Sequence, residues 1–459
     1  MVGGIVGGLI LAVLVGTLVA DALGGSRLAQ MAIALPIGGT AALVLLSKTP
    51  GVIFGMYLAI PFYKGGVDPW LPVDLTVTLA FATSVTAAPF VMRTVSGHLN
   101  RDQYKALMIW TIPMIVVAMG TLYTINPSSA TGTAARMVLL VFVPGLAGFA
   151  LAQSQRHRMQ VILTLGAFGL ASTAHGLATM GALGEWDRVE ALGANTLQTA
   201  LSGLMVPLLA LCLARGRSAT WRLGATAVSA PAMFVVLGTG SRGPLVMAII
   251  TVVVIWLCQS FSGRRLVIRL IAVIAATALF LTVQIPRLII DALPTYAGGR
   301  LLSLQTNIKG SIVGSETKFD ASEQTRLGLW DLAWTKFRQR PITGWGTDAF
   351  GVMSEVASYP HNLILQLLVE YGLLGTIPLS AVFIVGLTRL GWRNLDPSSV
   401  AVVAVFLFAL LVSMTSYDLV ENRLLWGSLA MVLALPRGGA RASLPSEPKT
   451  GMQGMGFRA

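Results

Sequence analysis

Long apolar runs separated by short polar breaks fill most of the chain. They fall near residues 3–23, 28–47, 51–63, 72–92, 106–123, 134–152, 159–180, 196–214, 223–238, 243–261, 266–285, 361–388, 398–415 and 423–436. A helix that crosses a bilayer needs about 20 residues. Most runs approach that length, while 51–63 and 423–436 are short enough to be half-helices or parts of tilted neighbours. Strand-like alternation of apolar and polar positions, the mark of a membrane barrel, is absent. The pattern predicts an all-α polytopic membrane protein with about 12 (12–14) transmembrane helices and both termini on one side. Ala20-Asp21-Ala22 mimics a leader-cleavage site, but no basic residue precedes the first run, so 3–23 reads as a retained helix.

Composition agrees. Of 459 residues, 55% are hydrophobic and 11% charged, against about 25% charged in a soluble domain. The net charge of +13 has its main source in alternate connections: Lys48; Arg93, Arg101 and Lys105; Arg156 and Arg158; Arg215, Arg217 and Arg222; Arg264 and Arg265; Arg389 and Arg393. By the positive-inside rule these lie in the cytoplasm, as do both termini, and the charge implies no nucleic-acid partner. The opposite face receives 64–71, 124–133, 181–195, 239–242, 286–360 and 416–422. Cys212 and Cys258 lie inside apolar runs and read as free buried thiols. Four regions follow: helices over 1–285, an extramembrane loop over 286–360, helices over 361–437, and a disordered tail over 438–459.

The 286–360 segment is too long for an idle connection. Within it, Leu327, Trp330, Trp334 and Phe337 recur at helical spacing with Ala333, so 323–340 predicts an amphipathic helix lying along the bilayer surface or capping a cavity. Pro341 ends it, and Gly344-Trp345-Gly346 turns the chain back toward Ser358–Gly375. There Pro360 suits a first helical turn and puts His361 at the rim. Asn362, Gln366 and Glu370 follow at intervals of four, on one stripe.

Basic residues on the outer face are the informative exceptions to the charge rule. Arg242 lies in Thr239–Pro244, where Gly240 and Gly243 permit close backbone approach to an anion. Arg188, among Glu185, Asp187 and Glu190, reads equally as a surface ion pair, and Arg326 equally as a headgroup contact. Arg136 and Arg287 stand at membrane edges, where snorkelling accounts for them. A guanidinium binds phosphate oxygens through a planar fork. The helix dipole and nearby arginines keep a histidine such as His361 neutral and able to accept a proton. His98 and His157 fall in basic loops and His175 in an apolar run, where a core role is expected. Tyr417, Asp418, Glu421 and Arg423 form a last outer loop, read as solvated or as touching sugar hydroxyls. No metal-ligand cluster and no nucleotide-binding loop stands out, so no cofactor is expected.

Three stretches carry a resemblance: Asp187–Asn195; Ser241–Gly243; and the set Arg326, Trp330, Pro341, Gly344-Trp345-Gly346, Pro360-His361-Asn362 and Glu370-Tyr371-Gly372. On these the chain resembles the O-antigen ligase and polymerase superfamily of bacterial envelope proteins. The resemblance implies a GT-C-type membrane glycosyltransferase of the bacterial inner membrane with its site facing the periplasm. The donor would be a glycan on undecaprenyl diphosphate and the acceptor a sugar hydroxyl of lipid A–core, with inversion and no metal. It implies that His361 is catalytic and that Arg242, Arg326 and, least securely, Arg188 bind diphosphate. Arg136, Arg287, Asn195, Asn362, Tyr417 and Asp418 are possible supports. Glu370 lies about 13 Å deeper along its helix and is expected to pair inside the bundle. O-antigen polymerase, a protein O-oligosaccharyltransferase and, from another class, a lipid or glycan transporter are the competing readings.

Overall fold

A computed structural model describes residues 49–68, 74–96, 99–180, 189–258, 321–392, 394–416 and 418–435. The runs expected at 3–23, 28–47 and 266–285, the loop through residue 320, and the tail from 436 lie outside the described residues. So do the candidate residues Arg188, Arg287 and Tyr417.

The described chain is helical. In order it forms α1 (Pro50–Ala59, continued by a 3-10 turn to Phe62), α2 (Leu75–Ser96), α3 (Arg101–Leu122) and α4 (Pro127–Leu151). Then come α5 (Gln155–Met180), α6 (Thr196–Leu213), α7 (Ala219–Gly238) and α8 (Arg242–Cys258). The last four are α9 (Ala321–Gln339), α10 (Leu363–Thr388), α11 (Pro397–Val412) and α12 (Arg423–Ala434). Among the described residues, seven helices are long and apolar enough to cross a membrane, and α1, α8, α11 and α12 are shorter apolar companions. The protein is a multi-pass membrane protein.

Local chemistry fixes the helix starts. Asn100 and Gln103 form a reciprocal capping box at α3, and Asp396 accepts from the Ser398 and Ser399 backbone N–H groups at α11. Asn422 caps α12 by accepting from Leu425 N. α11 is buried from Ser398 to Ala409 without a break, so it has no lipid-facing side. It packs against α5, α6, α8 and α12. α12 is buried from Leu424 to Ala434. Its shortness therefore reflects a place in the core and not a half-helix at the surface.

At one end of this core Arg158 is buried. It pairs with Asp396 at 2.9 Å, donates to Ser398 Oγ at 3.2 Å and to Ala152 O at 2.6 Å. This residue was expected among solvated basic loops; instead it locks α5 to the start of α11. Burial acts to raise the Asp396 carboxyl, but hydrogen bonds from Ser398 and Ser399 and the Arg158 charge outweigh it and leave the pKa lowered.

A second junction couples the extramembrane segment to the bundle. α10 is broken at Gly372, whose backbone is left-handed (φ 56°, ψ −161°). Residues 341–346 dock into the break. Trp345 N donates to Val369 O at 3.0 Å and Gly346 N to Glu370 O at 2.7 Å. In return, Leu373 N donates to Pro341 O at 2.9 Å and Leu374 N to Ile342 O at 3.0 Å. The backbones approach so closely that a Cβ on Gly372 would stand 2.3 Å from Ile342 O, and one on Gly344 2.5 Å from Glu370 O. The Gly-Trp-Gly turn expected from sequence is thus a plug in a broken membrane helix.

α9 ends at Gln339, two residues before Pro341, as the sequence predicts. Its buried face differs from expectation. Leu329 and Ala333 are buried with Phe350 and Val369, whereas Leu327 and Trp334 are 42% and 46% exposed. At 100° per residue, 326, 329, 330 and 333 share one face, so the docked stripe carries Arg326 with it.

Two stability tests follow from these junctions. Arg158→Ala should destabilise the detergent-purified protein by about 3 kcal/mol, the low end for a broken buried pair because Asp396 keeps some solvent access; a thermal melt reads it. Gly372→Ala forces a side chain into a left-handed, filled position, costing about 1–2 kcal/mol in backbone strain before any clash. Limited proteolysis between 340 and 347 should accelerate in that variant and not in Gly328→Ala, where a new Cβ meets open space.

Candidate active site

Asn362, not Pro360, caps α10. Its Oδ1 accepts from Leu365 N at 3.1 Å, and the helix begins at Leu363. His361 therefore precedes the cap and does not lie in the first turn. It has φ 54°, a left-handed conformation that histidine adopts more readily than most residues. The helix starts late because asparagine is a strong cap and because its other end is also used: Asn362 Nδ2 donates to Met414 O at 3.1 Å. Leu363 N donates to Ser413 O at 2.9 Å, so the seam rests on the turn that follows α11.

The expected polar stripe does share one face, and that face meets the last loop. Gln366 Nε2 donates to Asp418 Oδ1, and Leu419 N donates to Gln366 Oε1 at 3.2 Å. Burial pushes the half-buried Asp418 carboxyl above its ordinary pKa, against the Gln366 hydrogen bond.

From above, α9 closes over the seam. Trp330 Nε1 donates to Pro360 O at 3.0 Å, and the Tyr359 ring lies 4.4 Å from the His361 ring, centroid to centroid. Arg326 is one turn before Trp330 on the docked stripe, and its charge reaches the imidazole. Burial and then the Arg326 charge hold His361 below the usual histidine pKa. At neutral pH the imidazole is uncharged.

Arg242 opens α8. The preceding turn has Gly240 at φ 63°, and Thr239 Oγ1 accepts from Ser241 N at 3.1 Å. Gly243 lies against the same turn that holds Asn362: an added Cβ would come 3.3 Å from Thr415 Oγ1. The turn at 413–416 thus touches both the start of α10 beside His361 and the start of α8 beside Arg242, while α9, with Arg326, reaches the seam through Pro360. Upstream of this meeting, Val189 N donates to Gly238 O at 3.3 Å at the end of α7.

Other candidates have mainly structural partners. Asn195 caps α6 by accepting from Gln198 N at 2.9 Å. Arg136, expected to snorkel, pairs with Glu421 at 3.6 Å and donates to Thr133 Oγ1 at 3.1 Å, tying α4 to the last loop. His175 is exposed on α5 and not in the core. Cys212 and Cys258 are free thiols.

Sequence reasoning missed Asp348. It has φ 59°, and its Oδ2 accepts from Ser129 Oγ at 2.5 Å and Thr133 Oγ1 at 2.6 Å. It lies two residues after the Gly-Trp-Gly turn, but its partners are more than 200 positions away. Glu370, expected to pair within the bundle, finds no basic partner among the described residues. It is buried, and its Oε1 has no hydrogen-bond partner among the described residues. Among the described residues, no group of His, Cys, Asp or Glu is arranged to hold a metal ion.

Residues 225–380 match the family model described as O-antigen ligase. The matched segment runs from α7 into α10 and contains Arg242, Arg326 and His361; Arg188, Asn195, Arg136 and Asp418 fall outside it. No curated protein matches the chain.

The lowered imidazole pKa has a measurable consequence. A neutral His361 is present above its pKa and lost below it. Activity that needs the free base should be level near neutrality and fall on an acidic limb below the ordinary histidine value of about 6.5. Arg326→Gln removes a positive neighbour and should move that limb to higher pH, read from the pH profile of kcat/KM.

Proposed function

We propose that the protein is an O-antigen ligase that transfers a glycan from undecaprenyl diphosphate to a sugar hydroxyl of lipid A–core. The observation that carries this reading is the meeting of His361, uncharged and overhung by the Arg326 helix, with the α8 start that bears Arg242, all inside the segment that matches the ligase family. On this reading the site faces the periplasm from the bacterial inner membrane, both termini are cytoplasmic, and the helices form a GT-C-type scaffold.

The acceptor hydroxyl oxygen attacks the anomeric carbon from the side opposite the diphosphate. His361 takes the hydroxyl proton as the new C–O bond forms. The bond between the anomeric carbon and the phosphate oxygen breaks, and its electron pair leaves with undecaprenyl diphosphate. Attack from the opposite side inverts the anomeric centre. Arg242 and Arg326 hold the diphosphate and stabilise the charge it gains, with Arg188 as a further contact. Asn362, Asn195, Arg136 and Asp418 position these groups through the caps, ion pair and hydrogen bonds described above. Arg287 and Tyr417 remain candidates for the same shell.

His361→Asn keeps a residue tolerant of left-handed backbone and removes the base. It should lower transfer about 10²–10⁴-fold in a purified assay with lipid-linked glycan and core lipid A, at unchanged expression. Arg242→Lys should also fail, since a point charge does not replace a bidentate fork. Near-normal transfer in both variants would remove the proposed site. A deletion strain separates the neighbouring activities on a lipopolysaccharide gel: loss of ligase leaves core with no O-chain, loss of polymerase leaves core with one repeat. Glycan staining of periplasmic proteins tests the O-oligosaccharyltransferase reading, and donor translocation without transfer would favour a transporter.

A further inference from the structure

A second site lies at the far ends of α6, α7, α8 and α11. The 20 residues of α7 put about 30 Å between the two ends, at 1.5 Å per residue. A cavity of about 670 Å³ opens there, within the roughly 300–1,000 Å³ range of small-ligand sites. Its floor is apolar, formed by Leu208, Leu211, Cys212, Val252, Ile255 and Trp256. Three cations, Arg215, Arg217 and Arg222, stand along its wall.

These arginines are not neutralised. None forms an ion pair with a carboxylate among the described residues. Arg215 Nη1 is buried without a hydrogen-bond partner, a costly state for a guanidinium nitrogen. Arg217 lies over the Trp221 ring at 5.9 Å. Leu211, which lines the cavity, is 54% exposed, and Trp221 and Leu223, the chain neighbours of Arg222, are 65% and 71% exposed, an apolar surface suited to lipid.

We propose that this cavity binds an anionic phospholipid, with its phosphate on Arg215, Arg217 and Arg222 and an acyl chain along the apolar floor. A free phosphate would satisfy the arginines but leave the floor empty. A zwitterionic lipid would bring a cation toward three uncompensated cations. Basic pockets between membrane helices favour acidic headgroups for this reason. The inference does not rest on the glycosyl-transfer reading.

The test uses full-length protein in a neutral detergent, with dioleoyl phosphatidylglycerol, dioleoyl phosphatidylethanolamine and sodium phosphate as separate probes. Native mass spectrometry reads the bound species, and thermal shift reads stabilisation. Phosphatidylglycerol should be retained and should raise the melting temperature; the other two probes should do neither. The triple change R215Q/R217Q/R222Q should weaken phosphatidylglycerol binding about a hundred-fold, at about five-fold per arginine. Ala225→Trp, at a residue that lines the cavity, fills it while leaving every arginine in place, and should also abolish lipid retention. If the triple variant does not fold, Ala225→Trp and the single Arg215→Gln decide the matter. Equal retention of the two lipids, undiminished binding in the variants, or a phosphate response that matches phosphatidylglycerol would each overturn the proposal.

Discussion

Two backbones hydrogen-bond to each other inside the membrane protein, and the candidate site depends on that contact. A helix broken at Gly372 leaves N–H and C=O groups without helical partners, and in a low-dielectric surrounding such groups must be paired. The 341–346 turn supplies them, taking Val369 O and Glu370 O and offering Pro341 O and Ile342 O. Glycine is required on both sides because the chains approach within the space of a Cβ. The contact also reaches α3, since Thr347 N donates to Gly120 O at 3.2 Å and Thr124 Oγ1 to Thr347 O at 2.7 Å. An extramembrane segment anchored in this way holds α9 in one position, and with it Arg326.

Charge is layered around this anchor. Around the α9–α10 seam the Arg326 charge reaches the imidazole, while Asp348 is held by the Ser129 and Thr133 hydroxyls and Asp418 by the Gln366 amide. At the other end of α11, Arg158 is consumed by Asp396 and the α11 cap, whereas Arg215, Arg217 and Arg222 have no acidic partner among the described residues.

Much of this was legible in the sequence. Periodicity and length located the helices, because apolar runs and their Pro, Asn and Asp boundaries are local signals. Pro341 and the two glycines announced a tight turn. Local signals could not say that the turn would enter a break at Gly372, since Glu370-Tyr371-Gly372 reads as continuous helix. The face of α9 was misjudged because Trp and Leu are apolar enough for either core or lipid, and tertiary packing chose Leu329 and Ala333. Asp348 was missed because nothing within its own segment reports Ser129 and Thr133. His361 was found by its neighbours, but its place before the cap depended on Asn362 also bonding to Met414, a contact 52 positions away.

The central position of α11 bears on how the molecule is made. The helix with no lipid-facing side begins at residue 397, after three of the four helices that pack against it. α5, α6 and α8, which pack against it, are synthesised first and must associate around a seat that stays empty until Pro397–Val412 arrives. Until then, the apolar surfaces that α11 will cover face lipid or one another. The centre of this fold is therefore filled after its surroundings, and a nascent chain stalled before residue 397 would be inserted yet hollow.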